Sequence, residues 1–85
     1  MEELSFNGIS KFIHLKPCRY VVTRKDIIYK KEREVNKLTF YKDYKSKMIW
    51  LNGYGLGMEN NKYFKIDENH FKIETEKTEV NFYLN

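Results

Sequence analysis

The chain has a single cysteine, a single proline and only four glycines, and each shortage closes off a class of protein. With Cys18 alone, no internal disulfide can form, and a lone thiol suits a reducing compartment, so a cytoplasmic location is expected. No long apolar run occurs, and Glu2 and Glu3 open the chain with acid. A soluble protein with its start intact, lacking a signal peptide or membrane span, is therefore expected. Three of the glycines, Gly53, Gly55 and Gly57, follow an apolar run in a spacing that resembles phosphate-cradling loops. Neither a third spaced glycine leading into a helix nor a Gly-Lys-Ser/Thr follows them, so they are read as a flexible hairpin loop that displays Tyr54 and Leu56.

Catalytic and metal chemistry lack the residues they need. His14, His70 and Cys18 are too few and too scattered for a four-ligand metal set, and nothing in the sequence brings a histidine beside Cys18 to activate it. Glu74, Glu76 and Glu79 fall on what reads as a solvated face. No enzyme activity, no cofactor and no metal is expected.

What is present begins with period-two alternation in the last third. Phe64 and Ile66, then Phe71, Ile73 and Thr75, then Val80, Phe82 and Leu84 recur at every second position, the signature of strands with one buried face. A turn over Asp67 to His70 would face Ile66 with Phe71 and Phe64 with Ile73. A turn centred on Lys77 and Thr78 would face Thr75 with Val80, Ile73 with Phe82 and Phe71 with Leu84. Upstream, Arg19 to Arg24 reads as a β-branched, aromatic strand after the break at Pro17. Lys37–Lys42 and Lys47–Asn52 read as a strand pair, and Met48 to Leu51, apolar on both faces, as the most central strand, covered on each side.

Two segments are ambiguous. Asn7-Gly8 signals a turn between a short N-terminal strand and a second over about Ser10 to Leu15, with a short helix as the competitor. Asp26 to Leu38 has helix composition and Asp26 as a good cap, but Lys31 and Glu32 break the apolar stripe. A hairpin with its tip near Arg33 and Glu34, facing Ile27 with Phe40 and Tyr29 with Leu38, is preferred. At 85 residues the whole chain, 1–85, forms one domain. The expected fold is all-β, allowing one short helix: a small antiparallel barrel, roll or sandwich of seven to eight strands in a meander.

Charge is concentrated in the middle. Residues 16 to 48 carry eleven Lys or Arg against four Asp or Glu, while the flanking segments are net acidic; the chain as a whole is +4. An anionic partner is one explanation. The other is the Lys-, Asn-, Ile- and Tyr-rich coding of an AT-rich genome. Arg19, Arg24, Lys25, Lys30, Lys31, Lys37, Lys42, Lys45 and Lys47 are interleaved with Tyr20, Tyr29, Tyr41 and Tyr44, the materials for both phosphate tracking and base stacking. Protein docking needs less special chemistry, and Tyr41, Tyr44, Tyr54, Tyr63 and Tyr83 are the aromatic contact candidates. The ten residues Tyr20 to Tyr29 resemble the strand-turn-strand pattern of bacterial pleckstrin-homology-like domains, with Asp26 where that pattern has a basic residue and without its closing helix. That resemblance implies a protein- or lipid-docking module.

The resulting expectation is a non-catalytic adaptor or inhibitor that docks on a protein, such as one in a nucleic-acid-handling complex. Its surface would comprise Arg19, Arg24, Lys25, Lys30, Lys31, Lys42, Lys45, Tyr41, Tyr44 and Tyr54. A small phage or mobile-element protein that blocks a host machine would suit the composition. The alternative is direct binding of single-stranded nucleic acid. The sequence does not specify an oligomeric state.

Overall fold

The computed structural model describes residues 1–85 as nine short strands and one helix. In chain order these are β1 (Glu2–Leu4), α1 (Phe6–Ile13), β2 (Cys18–Arg24), β3 (Tyr29–Val35), β4 (Phe40–Asp43), β5 (Met48–Leu51), β6 (Tyr54–Gly57), β7 (Lys62–Asp67), β8 (His70–Glu74) and β9 (Thr78–Leu84). Two antiparallel sheets result, one of six strands in the order β1-β7-β8-β9-β2-β3 and one of three in the order β4-β5-β6. The all-β expectation with one short helix holds. No helix is long and apolar enough to cross a membrane.

A single core lies between the two sheets and the helix. Alternate residues of the large sheet, Cys18, Tyr20 and Val22 on β2, Phe71 and Ile73 on β8, Val80 and Phe82 on β9, are buried. Phe40, Ile49, Leu51 and Leu56 face them from the small sheet, and Ile9 and Ile13 from the helix, all within one contiguous apolar cluster. Each fully buried side chain of this kind contributes roughly 1.5–3 kcal/mol of transfer free energy, and the cluster serves in place of the disulfides that other chains of this size use.

The N-terminal segment is a helix, not the strand expected over Ser10 to Leu15. Ser5 caps it, its Oγ accepting from the Gly8 amide at 3.0 Å. Ile9 and Ile13, four apart, both reach zero exposure on one face, and Phe12 stacks on Phe71 at 4.9 Å. This burial outweighs the Asn7-Gly8 turn signal. The helix ends at Ile13, His14 leaves helical geometry (ψ 130°), and Leu15 follows in the left-handed region (φ 62°) ahead of Pro17.

Asp26 to Leu38 contains a strand, but its hairpin lies elsewhere. The chain turns at residues 25–28, and β3 pairs back on β2 from Arg24↔Tyr29 to Cys18↔Val35, so Arg33 and Glu34 sit within a strand, not at a tip. Asp26 sits in this turn, its carboxylate accepting two hydrogen bonds from the Arg24 guanidinium at 2.9 and 2.7 Å, while the seven-pair ladder to β2 fixes where the chain reverses. The Ile27–Phe40 and Tyr29–Leu38 pairs do not form.

The C-terminal meander exists with two register corrections. In β8–β9 the pairs are Ile73↔Val80 and Phe71↔Phe82, two residues from the expected register, because the turn is closed by Thr75 and Thr78. A shift of two preserves which face is buried. In β7–β8 the chain turns between Asp67 and His70, which pair, but a bulge between Lys65 and Asp67 shifts the ladder by one, giving Lys65↔Phe71, Phe64↔Lys72 and Tyr63↔Ile73 in place of the expected Ile66–Phe71 and Phe64–Ile73. One extra residue reverses the alternation beyond it. Tyr63 is buried and Phe64 is only half-buried on the other face.

The glycine segment is mostly strand. Asn52 and Gly53, both with positive φ (46° and 86°), make a two-residue hairpin turn of the kind that matches strand twist. Leu56 is buried, not displayed. β5 is the middle strand of the small sheet, as its apolar run suggested, yet only Ile49 and Leu51 are buried; Met48 and Trp50 are half-exposed on the open face. A Cβ on Gly55 would fall 2.6 Å from Met48 Cε and 3.0 Å from Trp50 Cζ3, so these two side chains lie across the bare glycine backbone.

Candidate functional site

The sheets part along one seam, where the edge strand β3 of the large sheet faces the β5–β6 hairpin of the small one. Pairing places Tyr29, Lys31, Arg33 and Val35 in register with the core-facing row of β2, so these four side chains point toward the small sheet. Lys31 lies over the ring of Tyr54, its Nζ 5.5 Å from the centroid. The hollow between them, about 370 Å³, is lined by Tyr20, Lys31, Arg33 and Val35 from one side and by Asn52, Gly53 and Tyr54 from the other.

The seam is of one sign. The protein has four ion pairs, Arg19–Glu32, Arg24–Asp26, Lys65–Glu68 and Lys72–Glu74, and none engages Lys31 or Arg33. Burial pushes the Tyr20 phenol up from its ordinary pKa, with Arg33 pulling the other way; the Tyr54 phenol is likewise pushed up by burial. Both therefore stay neutral at physiological pH. A second hollow, about 380 Å³, is lined by Arg24, Lys47 and Lys77 but also by Glu59 and Glu76, so its charges largely cancel.

The ten residues singled out from the sequence divide among separate faces. Lys31 and Tyr54 meet at the seam. Arg24 lies near it, but the fork to Asp26 occupies its guanidinium, holding the Asp26 carboxyl below the usual carboxylate range. Lys25 reaches the Thr75 carbonyl at 3.3 Å. Arg19 and Lys30 belong to the opposite, open face of the large sheet, where Arg19 covers Tyr83 (4.3 Å) and pairs with Glu32. Tyr41, Lys42, Tyr44 and Lys45 sit at the other edge of the small sheet: Lys42 lies over Phe6 (4.6 Å) and Tyr44 (5.8 Å), and Asp43 folds the turn by accepting from the Lys45 amide. Tyr41 and Tyr44 are exposed. Tyr63 is core and Tyr83 stacks on His70 at 4.5 Å.

Arg33, Tyr20 and Asn52 are seam residues the sequence reading did not assign to the site. Placing the hairpin tip near Arg33 and Glu34 hid the alternation Tyr29-Lys31-Arg33-Val35, which gains meaning only because β3 is an edge strand. Trp50, with Tyr41 beside it in register, forms an aromatic patch on the open face of the small sheet. The histidines are engaged separately: His14 Nδ1 accepts from the Phe40 amide at 3.2 Å and His70 Nε2 bonds Asn81 Oδ1 at 2.7 Å. Cys18 is fully buried, and burial pushes its thiol up to about 11, so at neutral pH it is not a nucleophile. Comparison with protein-family models, curated proteins and solved structures finds no match to this chain.

Proposed function

We propose that the protein is a non-catalytic docking module, an adaptor or inhibitor, that engages an acidic surface of a protein partner through the seam between its two sheets. The observation that carries this reading is the pair Lys31 and Arg33, two cations without a carboxylate partner, set against the Tyr20 and Tyr54 rings in an open hollow. Unpaired cations beside aromatic walls supply both long-range attraction and a desolvated contact. Charges already held by Asp26 or Glu32 contribute less, which removes Arg24 and Arg19 from the centre of the interface.

Affinity capture from source-cell extract, with wild type and the double variant Lys31→Glu/Arg33→Glu compared by quantitative mass spectrometry, tests it. Both side chains lie on an edge strand and enter no ion pair, so the variant is expected to fold, which its circular dichroism and melting check. A partner recovered by wild type and by a Lys30→Glu control, but depleted at least tenfold by the double variant, supports the seam. Identical recovery by all three rejects it.

Single-stranded nucleic acid is the second reading, favoured by the Lys31–Tyr54 arrangement, in which a cation and an aromatic ring lie together. Its affinity for an oligothymidylate would fall with log salt in proportion to the phosphates contacted. Absence of a gel shift even at low salt eliminates it.

A further inference from the structure

We infer that the partner docks by adding an extended acidic segment as a seventh strand beside β3. This deepens the seam reading and rests on it.

β3 is the outer strand of the six-stranded sheet, paired with β2 on one side only over all seven residues from Tyr29 to Val35. Every second amide and carbonyl of its free edge is thus available to another backbone. Edges of this length are commonly blunted by charge, which discourages self-association without preventing a complementary strand. The charges on β3 are sorted by face. Toward the small sheet point Tyr29, Lys31, Arg33 and Val35, with no acid; toward the open face point Lys30, Glu32 and Glu34.

A second copy is the wrong occupant. Two β3 strands paired antiparallel about their centre would set Glu32 against Glu32 and Lys31 against Arg33, like charges at the three central pairs, which the Lys30–Glu34 pairs on the outer, more solvated positions offset only in part. A segment with acid at two alternate positions, flanked by apolar residues two further out, meets the inward row instead: carboxylates beside Lys31 and Arg33, apolar side chains beside Tyr29 and Val35. The hollow bounded by Tyr20 and Tyr54 then lies under the acidic side chains. Backbone pairing supplies the affinity and the alternate side chains the selection, as in other strand-addition complexes.

The blocked heptapeptide Val-Thr-Glu-Thr-Glu-Thr-Val is a suitable probe, since it reads the same in either strand direction. Titrated to millimolar concentration against the full chain in amide NMR spectra, it is expected to shift residues 29–35 and 52–54 and to slow exchange at alternate β3 amides. Two derivatives, N-methylated at the odd or at the even positions, distinguish strand pairing from simple charge attraction. One set should weaken binding tenfold or more while the other stays within about threefold, because only one edge of the peptide faces β3.

If both derivatives bind like the parent, strand addition is wrong. If Lys31→Glu/Arg33→Glu then still abolishes that binding, the seam survives as a purely electrostatic site. No binding at several millimolar, equal binding of the Val-Thr-Lys-Thr-Lys-Thr-Val peptide, or shifts confined to Tyr41 and Trp50 would overturn the inference. So would displacement of the peptide from β3 by oligothymidylate, or dilution-dependent β3 shifts in the absence of peptide.

Discussion

The bulge in β7 makes a prediction that runs against the raw alternation of the sequence. By alternation, Phe64 belongs to the core and Tyr63 to solvent. In the structure Tyr63 is 8% exposed and packs edge-on against Phe6 at 5.9 Å, whereas Phe64 lies on the open face with Lys72 Nζ 5.4 Å from its ring centroid. Truncating a buried aromatic to alanine costs about 3–5 kcal/mol, through lost transfer energy and the cavity left behind. Tyr63→Ala is placed at the low end, about 3 kcal/mol, because the site adjoins the edge strand β1 and can partly collapse. Phe64→Ala removes a half-covered ring and one cation contact, about 1 kcal/mol. For a domain of this size 1 kcal/mol corresponds to roughly 4–8 °C in Tm. Tyr63→Ala should therefore melt at least about 12 °C below wild type, and Phe64→Ala less than about 8 °C below. Thermal and urea unfolding followed by circular dichroism and by the fluorescence of Trp50, the only tryptophan, measures both. A larger loss for Phe64→Ala than for Tyr63→Ala would refute the bulge and the register built on it.

Two further outcomes follow from local chemistry. The Cys18 thiol ionises near 9.0 when unfolded but only at about 11 when folded, so its protonated form is favoured by the native state. Its contribution to stability is complete below pH 9 and is lost as pH rises toward 11; urea midpoints should fall across that window, and an aromatic disulfide reagent at pH 8 should label Cys18 only as fast as the protein opens. Removing the helix cap by Ser5→Ala should cost about 1 kcal/mol, a Tm loss of roughly 4–8 °C, and Ser5→Asp should restore most of it, since an aspartate accepts the same Gly8 amide bond; equal melting of all three proteins would remove the cap from the account.

Local pattern carries the parts of this protein whose cause is local. The strands β2, β8 and β9, and their buried faces, follow from alternation of β-branched and aromatic residues, because a period of two is a property of the extended backbone itself. The basic middle third and the absence of a second cysteine are likewise read without coordinates. Tertiary structure decided whatever depends on a partner distant in sequence. Helix α1 exists because Ile9 and Ile13 find the underside of two sheets, a destination that Asn7-Gly8 does not announce. The bulge before Asp67 reversed a face that alternation alone assigned otherwise. Above all, Lys31, Arg33, Tyr20 and Tyr54 come together only because β3 is an outer strand and the β5–β6 hairpin faces it across the hollow. Charge along a chain is additive and legible, whereas convergence requires knowing which strands are neighbours.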